Sequence, residues 1–152
     1  MEFKYEVGIS ALIDAHRERV FDAFRDRAHI DEWWGPKVAT MRTTVMDIKP
    51  GGLWKYELRS ATGQTYPLEF LVEEVVRPQR LSYYQEDYDV DEHRLRGFKL
   101  LVTFEDKGRQ TDVTMHMIYM SEAEQQQQKA LGAENAIRET LERLNDYLAK
   151  KR

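Results

Sequence analysis

The stretch that decides the fold is residues 110–150, QTDVTMHMIYMSEAEQQQQKALGAENAIRETLERLNDYLAK. Its first ten residues have a period of two: Val113, Met115, Met117 and Tyr119 alternate with Thr114, His116 and Ile118. Alternation of this kind is a strand with one face on a core. After Ser121 the period changes. Ser121 with Glu124 three residues on is a capping-box signature. Ile137, Leu141, Leu144 and Leu148 then step by four, three and four, painting one apolar stripe along a helix. A single helix over 122–150 would be about 40 Å long at ~1.5 Å per residue. Gly132 in its interior is a weak point. The Gln run at 125–128 reads as a polar first turn or two.

Working outward, the N-terminal end shows the same two-residue period in Phe3, Tyr5, Val7, Ile9, Ala11 and Ile13, a second half-buried strand. Val20, Phe21 and Phe24 predict a short helix from about Ala15 to Asp26. HIDEWW at 29–34 predicts another, stopped at Gly35-Pro36 because Pro cannot continue it. Between these and the C-terminal strand lie candidate strands near 38–48, 53–60, 65–76, 80–88 and 95–105. Turn signals at Pro50-Gly51-Gly52, Ala61-Thr62-Gly63, Arg77-Pro78, an acidic loop near Asp89 and Asp106-Lys107-Gly108 separate them. Sequential strands joined by short turns form an antiparallel meander. The expected architecture is therefore α+β in one domain over 1–152. Its order is strand, two short helices, six strands and a long helix, about seven strands curling around that helix.

Composition agrees with this and excludes much else. The chain has 152 residues, a formal net charge of −4, and 3 Trp, 8 Tyr and 6 Phe, enough aromatics for a packed core. Mild acidity argues against a nucleic-acid partner. The absence of Cys rules out disulfides, cysteine-ligated zinc and a thiol nucleophile. No run of ~18 apolar residues predicts a membrane span, and the N-terminus lacks the apolar core of a signal peptide. A cytoplasmic protein is expected. Exposed sheet edges invite self-association, so a homodimer is among the expected partners.

At this point the motifs VFDAFRD (20–26), AHIDEWWGP (28–36), DIKPGGLW (47–54) and RPQRL (77–81) show a likeness. Together with the element order, they resemble the helix-grip superfamily that includes START-like and Bet v 1-like proteins. Within it they resemble the AHSA-type group, similar to the C-terminal domain of the activator of heat-shock protein 90 ATPase. The resemblance covers essentially the whole chain. It implies a scaffold that binds small apolar molecules between sheet and C-terminal helix. It also implies two alternatives: a co-chaperone that stimulates a heat-shock protein 90 ATPase in a stress response, and a cyclase or hydrolase using the same cavity. Relatives often carry a Gly-Trp pair early in the last helix. Here the pair reads Gly132-Ala133, which implies either a roomier cavity at that end or a neighbour that fills the gap.

No catalytic constellation stands out. His16, His29, His93 and His116 make no i, i+4 pair on a helix, so no metal box is expected; His93 is the one placed to border a cavity mouth. Asp87, Asp89 and Asp91 open like a calcium loop, but Glu92 and Phe98 stand where Gly and Glu are needed. No serine sits in a G-x-S-x-G elbow, and no cofactor is expected. Asp47 reads as a structural partner of the PGG turn. The positive signal is the inventory of large, soft side chains. Cavity candidates are Trp33, Trp34, Trp54, Tyr56 and Phe70, with Tyr84, Phe104, Met115 and Met117 on later strands and Ile137 and Leu141 on the helix stripe.

Overall fold

The structure, a computed structural model, describes residues 5–89 and 94–150. The elements are β1 (Glu6–Ile13), α1 (Arg17–Asp22), α2 (Arg27–Trp33), β2 (Thr40–Met46), β3 (Leu53–Arg59), β4 (Thr65–Val76), β5 (Arg80–Asp89), β6 (Arg94–Lys107), β7 (Gln110–Tyr119), α3 (Glu122–Ala130) and α4 (Ala133–Lys150). The seven strands form one sheet in the order β1-β7-β6-β5-β4-β3-β2. Every neighbouring pair is antiparallel. From β2 to β7 the chain meanders, and β1 returns beside β7 to match Ile9 with Met115 and Val7 with Met117. Since β1 and β2 sit at opposite edges, α1 and α2 carry the chain across the whole sheet between them. This is an α+β arrangement, as the element order predicts, and the helix-grip fold that the resemblance implies.

Two helix boundaries differ from the sequence reading. The first predicted helix, 15–26, ends at Asp22. The reason is Asp26, whose carboxylate accepts from the Ala28 N–H at 2.9 Å and caps α2; the residues before it turn rather than continue. The predicted single helix over 122–150 is two helices. Ser121 caps the first by accepting from the Glu124 N–H at 3.2 Å, as its spacing implies. The break falls at Gly132, whose φ of +83° is a left-handed conformation that side-chain-bearing residues enter at a cost of ~1–2 kcal/mol. The 18 residues of α4 therefore span about 27 Å. Leu141, Leu144 and Leu148 on that helix are buried, and it packs on β1 and α2.

The turn between β2 and β3 is set by its backbone. A Cβ at Gly52 would stand 2.0 Å from the Asp47 carbonyl oxygen, so only glycine lets the turn close. Asp47 does serve this turn, through its main chain. Its N–H donates to the Leu53 carbonyl at 2.9 Å and its carbonyl accepts from the Lys49 N–H at 3.0 Å. Its carboxylate pairs with Lys49 at 3.5 Å. The turn then reaches onto β4, where the Gly51 N–H donates to the Val72 carbonyl and the Val72 N–H donates to the Gly52 carbonyl, each at 2.9 Å. Trp54 at the start of β3 is thereby placed opposite Phe70.

Candidate ligand site on the inner face of the sheet

Strands β3, β4 and β5 present Trp54, Tyr56, Phe70 and Tyr83 on one face, all buried. Trp34, just past α2, closes over them. Its ring centroid is 4.9 Å from that of Trp54, which in turn lies 4.6 Å from Tyr56, 5.6 Å from Phe70 and 5.7 Å from Tyr83. Trp34 meets Trp54 edge to face and Phe70 stacks on Trp54, the geometries that aromatic quadrupoles favour by ~0.5–1.5 kcal/mol per pair. A second cluster lies under α1, where Phe24 packs against Trp33 at 4.7 Å and Phe104 at 5.2 Å.

A buried polar atom among rings needs a partner, and most here have one. The Trp33 indole donates to the Ala23 carbonyl at 3.2 Å. The Trp54 indole donates to the Thr43 hydroxyl at 3.2 Å, and that hydroxyl donates to Asp31 at 2.6 Å. Tyr119 donates to the Met117 sulfur at 3.4 Å. The exception is the Tyr83 hydroxyl, which is buried with no hydrogen-bond partner. Burial pushes the Tyr56 and Tyr83 phenols well above their ordinary value and Tyr119 up to about 12. All three are neutral donors near pH 7.

The structure brings Trp34, Trp54, Tyr56 and Phe70 together in one wall and places Trp33, Phe104, Met115, Met117 and Leu141 in the continuous core around it. Ile137 lies half-buried at the edge. Tyr84 does not join them. It is 37% exposed and faces the outer side of the sheet, where the Lys99 ammonium sits 5.7 Å from its ring. Lys99 also pairs with Glu73 at 2.7 Å, and Ser82 donates to that same carboxylate at 2.8 Å. Tyr83 is the tyrosine that points inward, and the phase of Leu81, two residues before it and fully buried, carries that signal in the sequence. Leu58, Leu68 and Phe98 were also outside the sequence-based set; all three pack half-buried against the wall.

Among the described residues, clefts open at three further places on the surface. One of about 610 Å³ is lined by Asp22, Arg25, Asp26, Arg27, His29, Met46 and Ile48. Another, about 470 Å³, lies between α2 and α4 among Glu32, Arg143, Asp146, Tyr147 and Lys150. A third of about 320 Å³ borders Thr40, Met41, Arg42, Glu57, Arg59 and Thr65. No residue predicted for the cavity lines these three. His16 meets the Gly108 carbonyl at 3.1 Å, His29 meets the Tyr147 hydroxyl at 2.6 Å, and His116 pairs with Glu6. His93 and the side chains of the acidic run 86–92 lie outside the described residues. Among the described residues no group of three His, Asp or Glu could hold a metal, and no helix is long and apolar enough to cross a membrane.

Comparison with known proteins places this geometry. The chain is similar to an Arthrobacter aurescens protein solved by NMR, at 22% identity over 96% of this chain and 87% of that one, with a TM-score of 0.86. It is similar to protein Ms6760 from Mycobacterium smegmatis, at 20% identity over 97% and 93% of the two chains, with a TM-score of 0.85. A protein from Silicibacter pomeroyi described as AHSA1 matches at 20% identity over 97% and 99%, with a TM-score of 0.78. At these identities the likeness concerns the fold. No curated protein matches the chain. A family model, described as activator of Hsp90 ATPase homolog 1-like protein, matches residues 14–149, so every element from α1 onward lies inside it save the last residue of α4, and the chain belongs to that family.

Proposed function

We propose that the protein binds a small apolar molecule against the inner face of the sheet, between the aromatic wall and the N-terminal half of α4. The observation that carries this reading is the rim of the wall. Leu58, Leu68, Phe98 and Ile137 continue the apolar face outward and remain only partly covered. A Cβ at Gly35 would lie 3.1 Å from Leu58, so the loop carrying Trp34 borders the same rim. Ala133, where relatives often carry Trp, is also half-buried against the core, which is in keeping with space at that end. Partly exposed apolar side chains leading into buried rings are the composition of a ligand site. A bound molecule that covers the rim gains ~25 cal/mol per Å² of apolar surface removed from water.

The test uses N-phenyl-1-naphthylamine, an apolar dye whose fluorescence rises on leaving water. Saturable 1:1 binding is expected, weakened at least tenfold in Leu68→Glu, since a carboxylate would then have to be buried beside the dye. Leu68 is partly exposed in the free protein, so the variant is expected to keep a thermal midpoint close to the parent's. No saturable binding, or binding that ignores Leu68→Glu, would overturn the reading. Stimulation of a heat-shock protein 90 ATPase, one of the two other roles implied by the family resemblance, would then be the activity to assay.

A further inference from the structure

The Tyr83 hydroxyl is the unexplained atom of the wall. Its ring lies against both Trp54 at 5.7 Å and Phe70 at 5.6 Å, and the side chain is fully buried. No acceptor reaches it. The phenol cannot lose its proton to escape the problem, because burial disfavours the phenolate. An unmade buried hydrogen bond is costly, and a partner that arrives later recovers that cost. The Tyr56 phenol stands against the same two rings, Trp54 at 4.6 Å and Phe70 at 6.0 Å, and adds to the upward push on the Tyr83 phenol. Burial likewise keeps its hydroxyl protonated.

Two neutral O–H donors thus stand in one aromatic wall. Resting on the binding reading above, we propose that the ligand is a neutral ring compound carrying a hydrogen-bond-accepting oxygen, a ketone-type carbonyl, which Tyr83 binds. The flat rings of Trp54 and Phe70 suit an unsaturated ring system. Neutrality follows from the wall's own chemistry. The residues in ring contact with Tyr83 and Tyr56 are Trp34, Trp54 and Phe70, none of which carries a charge. A carboxylate seated there would lose its hydration without gaining a cation. A carbonyl oxygen needs only the donor that the phenol has free.

The experiment compares two ligands that differ by one atom, 2-acetonaphthone and 2-isopropenylnaphthalene, each measured by displacement of N-phenyl-1-naphthylamine. The ratio of their affinities is taken in the parent protein and in Tyr83→Phe, so that the difference in hydrophobicity cancels. The parent is expected to favour the ketone by at least fivefold more than Tyr83→Phe does, each displacement being corrected for that protein's own dye affinity. An equal ratio overturns the carbonyl inference while leaving the binding reading intact. Displacement by neither compound in the parent overturns both. A second measurement needs no variant: the C=O stretch of bound 2-acetonaphthone is expected at lower wavenumber than in hexane. A hexane-like frequency would show that no donor reaches it and would overturn the proposal.

Discussion

Arg143 holds the cover of the aromatic wall in place. From α4 its guanidinium donates to the carbonyls of Trp34 at 3.2 Å, Gly35 at 3.2 Å, Pro36 at 3.0 Å and Ala39 at 3.4 Å through one nitrogen, and to that of Glu32 at 3.2 Å through the other. The Glu32 and Trp34 carbonyls stand at the C-terminal end of α2, where a cation is the favoured group, and the other three belong to the loop that follows. Desolvation lowers its pKa, against the opposing charges of Glu139 and Glu32, yet a guanidinium stays charged at any working pH. Replacing it with Met keeps the apolar stem and removes every donor. Arg143→Met is expected to cost about 2 kcal/mol in urea unfolding. Arg143→Lys should recover only part of that, because one ammonium cannot reproduce a planar fork; full recovery by Lys would mean that charge alone, not the fork, holds the loop. None of this clasp was legible in the sequence, where Arg143 is one more polar residue between two stripe positions. The tyrosine pair shows the same limit. Tyr83 and Tyr84 are equally apolar, and a one-residue choice of phase sends one inward and the other into solvent. The bulge between Val72 and Glu74 on the neighbouring strand interrupts the alternation that would have settled it.

At the scale of elements, the C-terminal segment shows which signals carry. Ser121 announced the start of α3, and it caps it. Every residue of the apolar stripe, from Ile137 to Leu148, lies after Gly132, and that is where the packed helix proves to be. The Gln run before it has no stripe, so α3 contributes only Glu124 to the buried set, while Leu131 at its end is 73% exposed. A continuous helix would have had no apolar face to bury over its first ten residues, and amphipathic packing supplies most helical stability in proteins. Gly132→Ala tests the break. No atom lies within 4 Å of the added Cβ, so the cost is conformational, about 1 kcal/mol, read as a lower thermal midpoint. An unchanged or higher midpoint would mean that the two helices merge without loss.

For the molecule as a whole, strands were the readable part because turn residues punctuate them and a two-residue period runs between. The path across the sheet was less so, since the pairing of β1 with β7 is a long-range event that no local pattern encodes. That path has a consequence for binding. With β1 and β2 at opposite edges, α4 packs on β1 and the Trp34 loop must cover the far side of the inner face. The cover is tight: Trp54 and Tyr83 expose none of their surface, so no water-sized molecule touches them until something moves. A ligand that reaches the wall therefore waits for an opening, and its observed binding rate should level off as ligand concentration rises, at the rate of that opening. Stopped-flow mixing with N-phenyl-1-naphthylamine is expected to show this plateau. Arg143→Met, which frees the loop, should raise the plateau severalfold while changing the dissociation constant less, because both opening and escape are eased. A rate that climbs linearly with dye at ~10⁶ M⁻¹s⁻¹ or more would mean that the dye binds without an opening of the cover. The Trp34 loop would then be a fixed wall of the site and not its door.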